Sequence, residues 1–162
     1  MRVHLSTDDL PPRDREQFWL DFVAKHVHRV TLSGRPNPTM FWARLDAEVA
    51  GRFTVLEFQT SHDEVGRTTA DVSRDNSDGF FLRRVLRKQT YNVAARRARP
   101  EEVKLAPGDF CVSSSEWSYE ASMEGGISVS GLLIPHAVMS PLLSGGRLTR
   151  PVPVPIGSVP AR

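Results

Sequence analysis

Phe18, Trp19, Phe22, Val23 and Val27 recur at spacings of three and four, while Arg13, Asp14, Glu16, Gln17 and Lys25 fall between them. The spacing predicts an amphipathic helix over about 12–27, with a buried stripe and a wet face. Ser6-Thr7-Asp8-Asp9 supplies capping oxygens and Pro11-Pro12 suits a first turn. Gly34-Arg35-Pro36-Asn37-Pro38 can continue neither a helix nor a central strand and reads as a loop. Alternation then takes over. Phe41 to Val49 sets Phe41, Ala43, Leu45 and Ala47 against Trp42, Arg44, Asp46 and Glu48. Ala50-Gly51-Arg52 turns the chain into Phe53 to Thr60, a strand apolar on both faces.

The segment from Ser61 to Gly79 is polar, and no element is predicted there. Phe80 to Gln89 and Tyr91 to Ala98 read as two strands of a hairpin through Gln89-Thr90. Val103 to Leu105 and Phe110 to Val112 are strands joined by the tight turn Pro107-Gly108-Asp109. Ser113-Ser114-Ser115 interrupts the pattern, and Trp117 and Tyr119 then place two rings on one face of a third short strand. Ile127 to Ile134 is strongly apolar and is entered through Glu124-Gly125-Gly126. A short helix over 135–143 follows, with Val138, Met139, Leu142 and Leu143, stopped by Gly145-Gly146. From Arg150 the chain is too rich in proline for a helix and reads as an extended linker. The expectation is a mainly β domain over about 6–148, a barrel or sandwich with flanking helices and strands between about 41 and 134. Residues 149–162 are its Pro-rich linker or tail.

With 162 residues, 40% hydrophobic and 25% charged, the chain suffices for one core. It has no apolar run near the roughly 18 residues of a membrane span, and its first residues lack the apolar region of a secretory signal. A cytoplasmic protein without a membrane partner is expected. Cys111, the single cysteine, is expected to be a buried, inert thiol. A net charge of +2 implies no nucleic-acid binding by itself.

Candidate chemistry narrows the field further. His26 and His28 form His-x-His but fall on the predicted helix, where residues two apart point about 200° from each other and cannot share a metal. Neither a metal nor another cofactor is expected. The dipole of a helix terminus favours imidazolium at both positions, and His62 reads as a solvated loop side chain. Ser113 to Ser115 sit in no nucleophile elbow, so no catalytic residue is assigned. The glycine pairs lack phosphate-binding spacings. Arg83, Arg84, Arg87, Lys88, Arg96, Arg97 and Arg99 make the stretch 80–100 cationic without one acidic residue. Period two mixes apolar and cationic groups on both faces of Phe80 to Gln89, so one Arg is expected near the interior. A buried guanidinium needs an anionic partner, either Asp46 or Glu57 or a bound carboxylate or phosphate. Arg84 or Arg44 is the candidate anchor. Trp42, Phe58, Tyr91, Trp117 and Tyr119 complete the candidate ligand-binding set, aromatic groups on strands around a small cavity.

Two stretches carry a resemblance. Leu105-Ala106-Pro107-Gly108-Asp109-Phe110 followed by Ser113-Ser114-Ser115 and Tyr119, and Ser6-Thr7-Asp8-Asp9-Leu10-Pro11-Pro12-Arg13-Asp14-Arg15 followed by Trp19, are similar to the cupin-like N-terminal domain of AraC/XylS-family transcription regulators. Arg67-Thr68-x-x-Asp71-Val72-x-Arg74-Asp75 and the Leu133-Ile134-Pro135-His136 turn continue the likeness, which spans about 6–143. It implies a cupin-like double-stranded β-helix and a domain that senses a small-molecule effector, anionic or aromatic in character, and dimerises. It further implies that DNA is reached only through a C-terminal helix-turn-helix part. Nothing after Pro151 reads as such a part, so the chain is expected to be the N-terminal portion of a longer regulator or a truncated relative. The rival readings are a metal-dependent cupin enzyme and a stand-alone small-molecule binding protein. The expectation is that the chain is no enzyme.

Overall fold

The structure is a computed structural model that describes residues 2–33, 40–75, 77–94, 100–143, 145 and 147–156. The loop expected at Gly34 to Pro38, the strand end towards Ala98 with Arg96, Arg97 and Arg99, Gly146 and the tail beyond Ile156 lie outside them.

In chain order the elements are β1 (Arg2–Ser6), α1 (Arg15–His26), β2 (Thr31–Leu32), β3 (Ala43–Ala50), β4 (Phe53–Thr60), β5 (Glu64–Arg67) and α2 (Thr69–Arg74). They continue with β6 (Gly79–Val85), β7 (Gln89–Ala94), β8 (Glu101–Leu105), β9 (Phe110–Ser114), β10 (Ser118–Met123), β11 (Ser128–Pro135), α3 (His136–Met139) and β12 (Val152–Val154). The strands form a seven-stranded sheet, β1-β3-β4-β11-β6-β9-β12, and a five-stranded sheet, β2-β5-β10-β7-β8, both antiparallel. The mainly β, cupin-like sandwich with flanking helices is thus present.

Alternation sorts each strand into an inward and an outward row. Ala43, Leu45 and Ala47 of β3 and Leu56 of β4 are buried, as are Tyr91 and Val93 of β7 and Ala121 and Met123 of β10. Their side chains meet between the sheets as one hydrophobic cluster. A single 3-10 turn over Pro12–Asp14 leads into α1, close to the expected bounds. Trp19 and Val23 bury the inner stripe of α1 against the sandwich, while Phe18 stays 45% exposed. The helix is therefore a cover over one end of the core.

Several expectations are corrected. Gln89-Thr90 does not join a hairpin, because β6 and β7 belong to different sheets. The chain crosses between them at Leu86 to Lys88, and β6 pairs instead with β11 and β9. β8 and β9 likewise lie in different sheets despite the short turn between them. Gly108 there has φ 94°, and the Asp109 carboxylate accepts from the Ala106 and Ile156 amides at 2.8 and 3.0 Å. Ser6 to Asp9 caps no helix: Ser6 ends β1, and Thr7 exchanges hydrogen bonds with Ala43. The polar segment 61–79 carries β5 and α2, whose capping box pairs Thr68 with Asp71. The proline-rich stretch after Arg150 is not wholly a linker. Val152–Val154 pairs with β9 at the sheet margin, a place that tolerates a residue without an N–H such as Pro153.

Candidate functional site: a buried guanidinium between the sheets

The site grows out of one row of the seven-stranded sheet. Leu56, Gly131, Arg83 and Cys111 lie side by side on the inward face. Arg83, flanked by Gly131 and Cys111, lies inside the sandwich, where it is 3% exposed. A Cβ on Gly131 would run into the Phe81 ring, which occupies the space over its backbone. Phe81 in turn is one of three rings around the cation. The guanidinium carbon is 4.0 Å from the ring centre of Tyr91, 5.0 Å from Phe81 and 5.1 Å from Tyr119, each a contact worth about 0.5–2 kcal/mol when desolvated.

Arg83 donates from Nη2 to the Tyr91 hydroxyl at 2.9 Å and to Ser113 Oγ at 3.5 Å. The Tyr119 hydroxyl lies 3.1 Å from His28 Nε2. That contact engages one ring nitrogen of His28 and leaves Nδ1 without a partner. Burial, helped by Arg67 and Arg83, holds His28 down to a pKa of about 3. The expected imidazolium at a helix terminus is corrected for this residue, since His28 lies past the end of α1 and inside the core. Burial pushes Tyr91 up to about 12 and raises Tyr119, with Arg83 opposing both shifts. Both phenols are therefore neutral donors and acceptors at ordinary pH.

These groups border a hollow of about 30 Å³, room for about two waters. Trp19 and Val23 of α1, and Val27, His28 and Val30 just after it, close it on one side. Leu45, Phe58 and Arg83 face it from the seven-stranded sheet, and Val65, Gln89, Tyr119 and Ala121 from the other. Among the described residues, the buried side-chain polar atoms without a partner are Trp19 Nε1, His28 Nδ1, Arg83 Nε and Gln89 Oε1. All four belong to residues that line this hollow.

The covering segment is itself pinned. Arg67, 1% exposed, donates to the Arg29 carbonyl at 2.6 Å, the Asp75 carboxylate at 2.8 Å and the Ser115 carbonyl at 3.2 Å. Asp75 also accepts from the Arg29 amide at 2.7 Å. Burial alone would raise the Asp75 carboxyl, but the Arg29 amide and Arg67 overcome it and hold it low.

Of the residues singled out from the sequence, Phe58 and Tyr119 line the hollow and Tyr91 stands behind Arg83. Trp117 is buried in the core just before β10, without lining the hollow. Trp42 lies outside, its ring 5.9 Å from the Arg44 guanidinium. Arg44 pairs with Asp8 at 2.8 Å on the surface, and Arg84 is exposed beside Phe110. Neither is the interior cation. That residue is Arg83, one position away on the opposite face, and its partner is neither Asp46, which pairs with His4, nor the exposed Glu57. Only the company of Phe81 and Val85 on its face pointed to Arg83. Trp19, His28 and Gln89 were missed because they reach the hollow from three separate elements.

A shallower groove of about 370 Å³ runs outside the five-stranded sheet past Thr31, Asn92 and Glu120. None of the four unpartnered atoms belongs to it. Among the described residues no three His, Cys, Asp or Glu side chains are grouped as a metal site needs, and no helix is long and apolar enough to cross a membrane.

No family model and no curated protein matches the chain. Among solved structures, the AraC-like transcriptional activator CuxR superposes with a TM-score of 0.67 over 86% of this chain, at 20% identity. This chain has the fold of the matched part of that activator. It matches 49% of the CuxR chain, about half the activator's length. Vicilin from hazelnut, Corylus avellana, aligns at 11% identity over 57% of this chain and 29% of its own, with a TM-score of 0.43. The hydroxypropylphosphonic acid epoxidase from S. wedmorenis aligns at 10% identity over 57% of this chain and 50% of its own, also at 0.43.

Proposed function

We propose that the chain is the effector-sensing domain of an AraC-type transcription regulator and binds its effector between the two sheets, without catalysis. The observation that carries this reading is Arg83, a guanidinium held inside an aromatic cage with no carboxylate partner among the described residues. An interior built only for stability would gain by replacing such a group with a hydrocarbon. The CuxR-like fold supports the regulator class, and the reading includes a homodimer and contact with DNA only through a separate helix-turn-helix part.

The cover over the hollow supplies the response. An organic ligand needs far more than 30 Å³, so it fits only if α1 and the segment Val27 to Val30 move outward. That segment is tied through Arg67 and Asp75 to the end of α2, so the displacement reaches the surface. The ligand then has different affinities for the closed and open states, the condition for shifting a population.

A thermal-shift screen of a small-molecule library against this chain and its Ala121→Val variant tests the reading. Ala121 lines the hollow and is 3% exposed, so the added methyls fill the site. Hits that stabilise the parent and lose their effect in the variant are expected. A library whose hits all ignore the variant would overturn the interior site. Light scattering of the same samples tests the dimer.

A further inference from the structure

The unpartnered atoms around the hollow are unequal in kind. Trp19 Nε1 and Arg83 Nε are N–H donors, His28 Nδ1 donates or accepts according to its tautomer, and Gln89 Oε1 is an acceptor whose amide can turn its other end inward by a flip. No Asp or Glu lines the hollow. The guanidinium is the only permanent charge among the lining residues, because His28 is neutral. An excess of donors around one positive charge calls for an acceptor-rich monoanion. The remaining walls, Leu45, Phe58, Val65, Val129 and Ile127, are hydrocarbon, which suits an apolar body and penalises a second charge or a sugar. The space beside Arg83 now holds about two waters' volume, the size of a carboxylate group rather than of a hydrated phosphate. A planar carboxylate also matches the fork geometry of a guanidinium better than a tetrahedral dianion matches a single cation.

We propose that the interior site takes a compact monocarboxylic acid, its carboxylate on Arg83 Nε and the Trp19 Nε1–H group and its hydrocarbon body against Phe58, Val65 and Ile127. The proposal rests on the sensor reading above and narrows it to one ligand class. Tyr91 and Tyr119 then serve as the backing that holds the guanidinium in place, since their rings already occupy its faces. The acid enters with its charge intact and exchanges its water shell for fixed N–H dipoles, so the site discriminates an acid from its uncharged amide.

Calorimetric titration with acetate, butanoate and benzoate, each beside its amide, tests this on the parent chain and on Arg83→Met and Arg83→Lys. At least one acid is expected to bind ten-fold or more tightly than its amide. Arg83→Met should erase that preference while leaving any weak amide binding, and Arg83→Lys should keep part of it. Equal affinities for acid and amide, or acid binding undiminished in Arg83→Met, would overturn the carboxylate assignment. Binding of the amides alone would sink it too and leave the sensor reading standing. Silence from all six compounds would likewise reject the compact acid, and the library screen with Ala121→Val then decides the sensor reading separately.

Discussion

The Arg83 guanidinium lies 4.0 Å from the centre of the Tyr91 ring and donates to the hydroxyl of the same residue at 2.9 Å. A cation so placed has its faces shielded by rings and its edge left with an unpartnered Nε–H. Each such contact recovers only part of the cost of taking a charge out of water. The arrangement is therefore one that stability does not select, and several consequences can be measured.

Arg83→Met should stabilise the unliganded domain, by about 1–3 kcal/mol, because a hydrocarbon of similar length replaces a charge without a counter-ion. Urea denaturation of the two proteins measures this. A variant weaker than the parent by a similar amount would show that the rings and hydroxyls compensate the guanidinium fully.

Stability should fall on mild acidification. His28 is neutral in the fold with a pKa of about 3, against 6.5 for an ordinary imidazole. Below 6.5 the unfolded chain takes up a proton that the folded chain refuses, so its contribution is complete above that value and is lost at up to about 1.4 kcal/mol per pH unit on the way to 3. Asp71 and Asp75, both held below their ordinary 3.8, lose their contributions only beneath that pH. Between pH 6.5 and 4 the slope therefore belongs chiefly to His28. Melting curves across this window should flatten in His28→Gln, whatever that variant's stability at pH 8. An equal slope in both proteins would contradict the assignment.

The Arg67–Asp75 pair should be costly to break. Its side chains are 1% and 10% exposed, and Asp75→Ala leaves a buried guanidinium uncompensated at a loss of about 3–5 kcal/mol. The same change frees the Arg29 amide, so hydrogen exchange in residues 27–30 should rise beyond what global destabilisation explains.

Gly131→Ala should cost about 1–3 kcal/mol, since the new methyl must displace the Phe81 ring from the sheet. Pairing it with Phe81→Leu should recover part of the loss. If the single variant is neutral by urea denaturation, the ring is not fixed where the structure has it.

The sequence showed the strands more readily than their partners. Ala43, Leu45 and Ala47 against Arg44, Asp46 and Glu48 is a one-sided pattern, and β4 has the expected bounds while β3 starts two residues later than expected, at Ala43. Phe80 to Gln89 mixes apolar and cationic residues on both faces, so alternation could not say whether Arg83 or Arg84 points inward. The choice is set by the register of β6 against β11 and β9, strands remote in sequence. The false hairpin at Gln89-Thr90 has a similar cause, because a chain crossing from one sheet to the other uses the same short polar turn as one folding back. The Thr68-x-x-Asp71 capping signature of α2 is legible in the sequence, although the polar stretch around it carries no apolar stripe. Trp19 on α1 and His28 beyond its end carry no shared signal until tertiary packing brings them to the same hollow as Gln89.

The most direct test of a ligand site at Arg83 is a 15N–1H spectrum of the side-chain N–H groups during titration with butanoate. The Arg83 Nε–H and Trp19 Nε1–H signals should move together and saturate as the carboxylate takes up their hydrogen bonds. Signals that stay in place, or that drift without saturating while surface amides respond equally, would contradict the account.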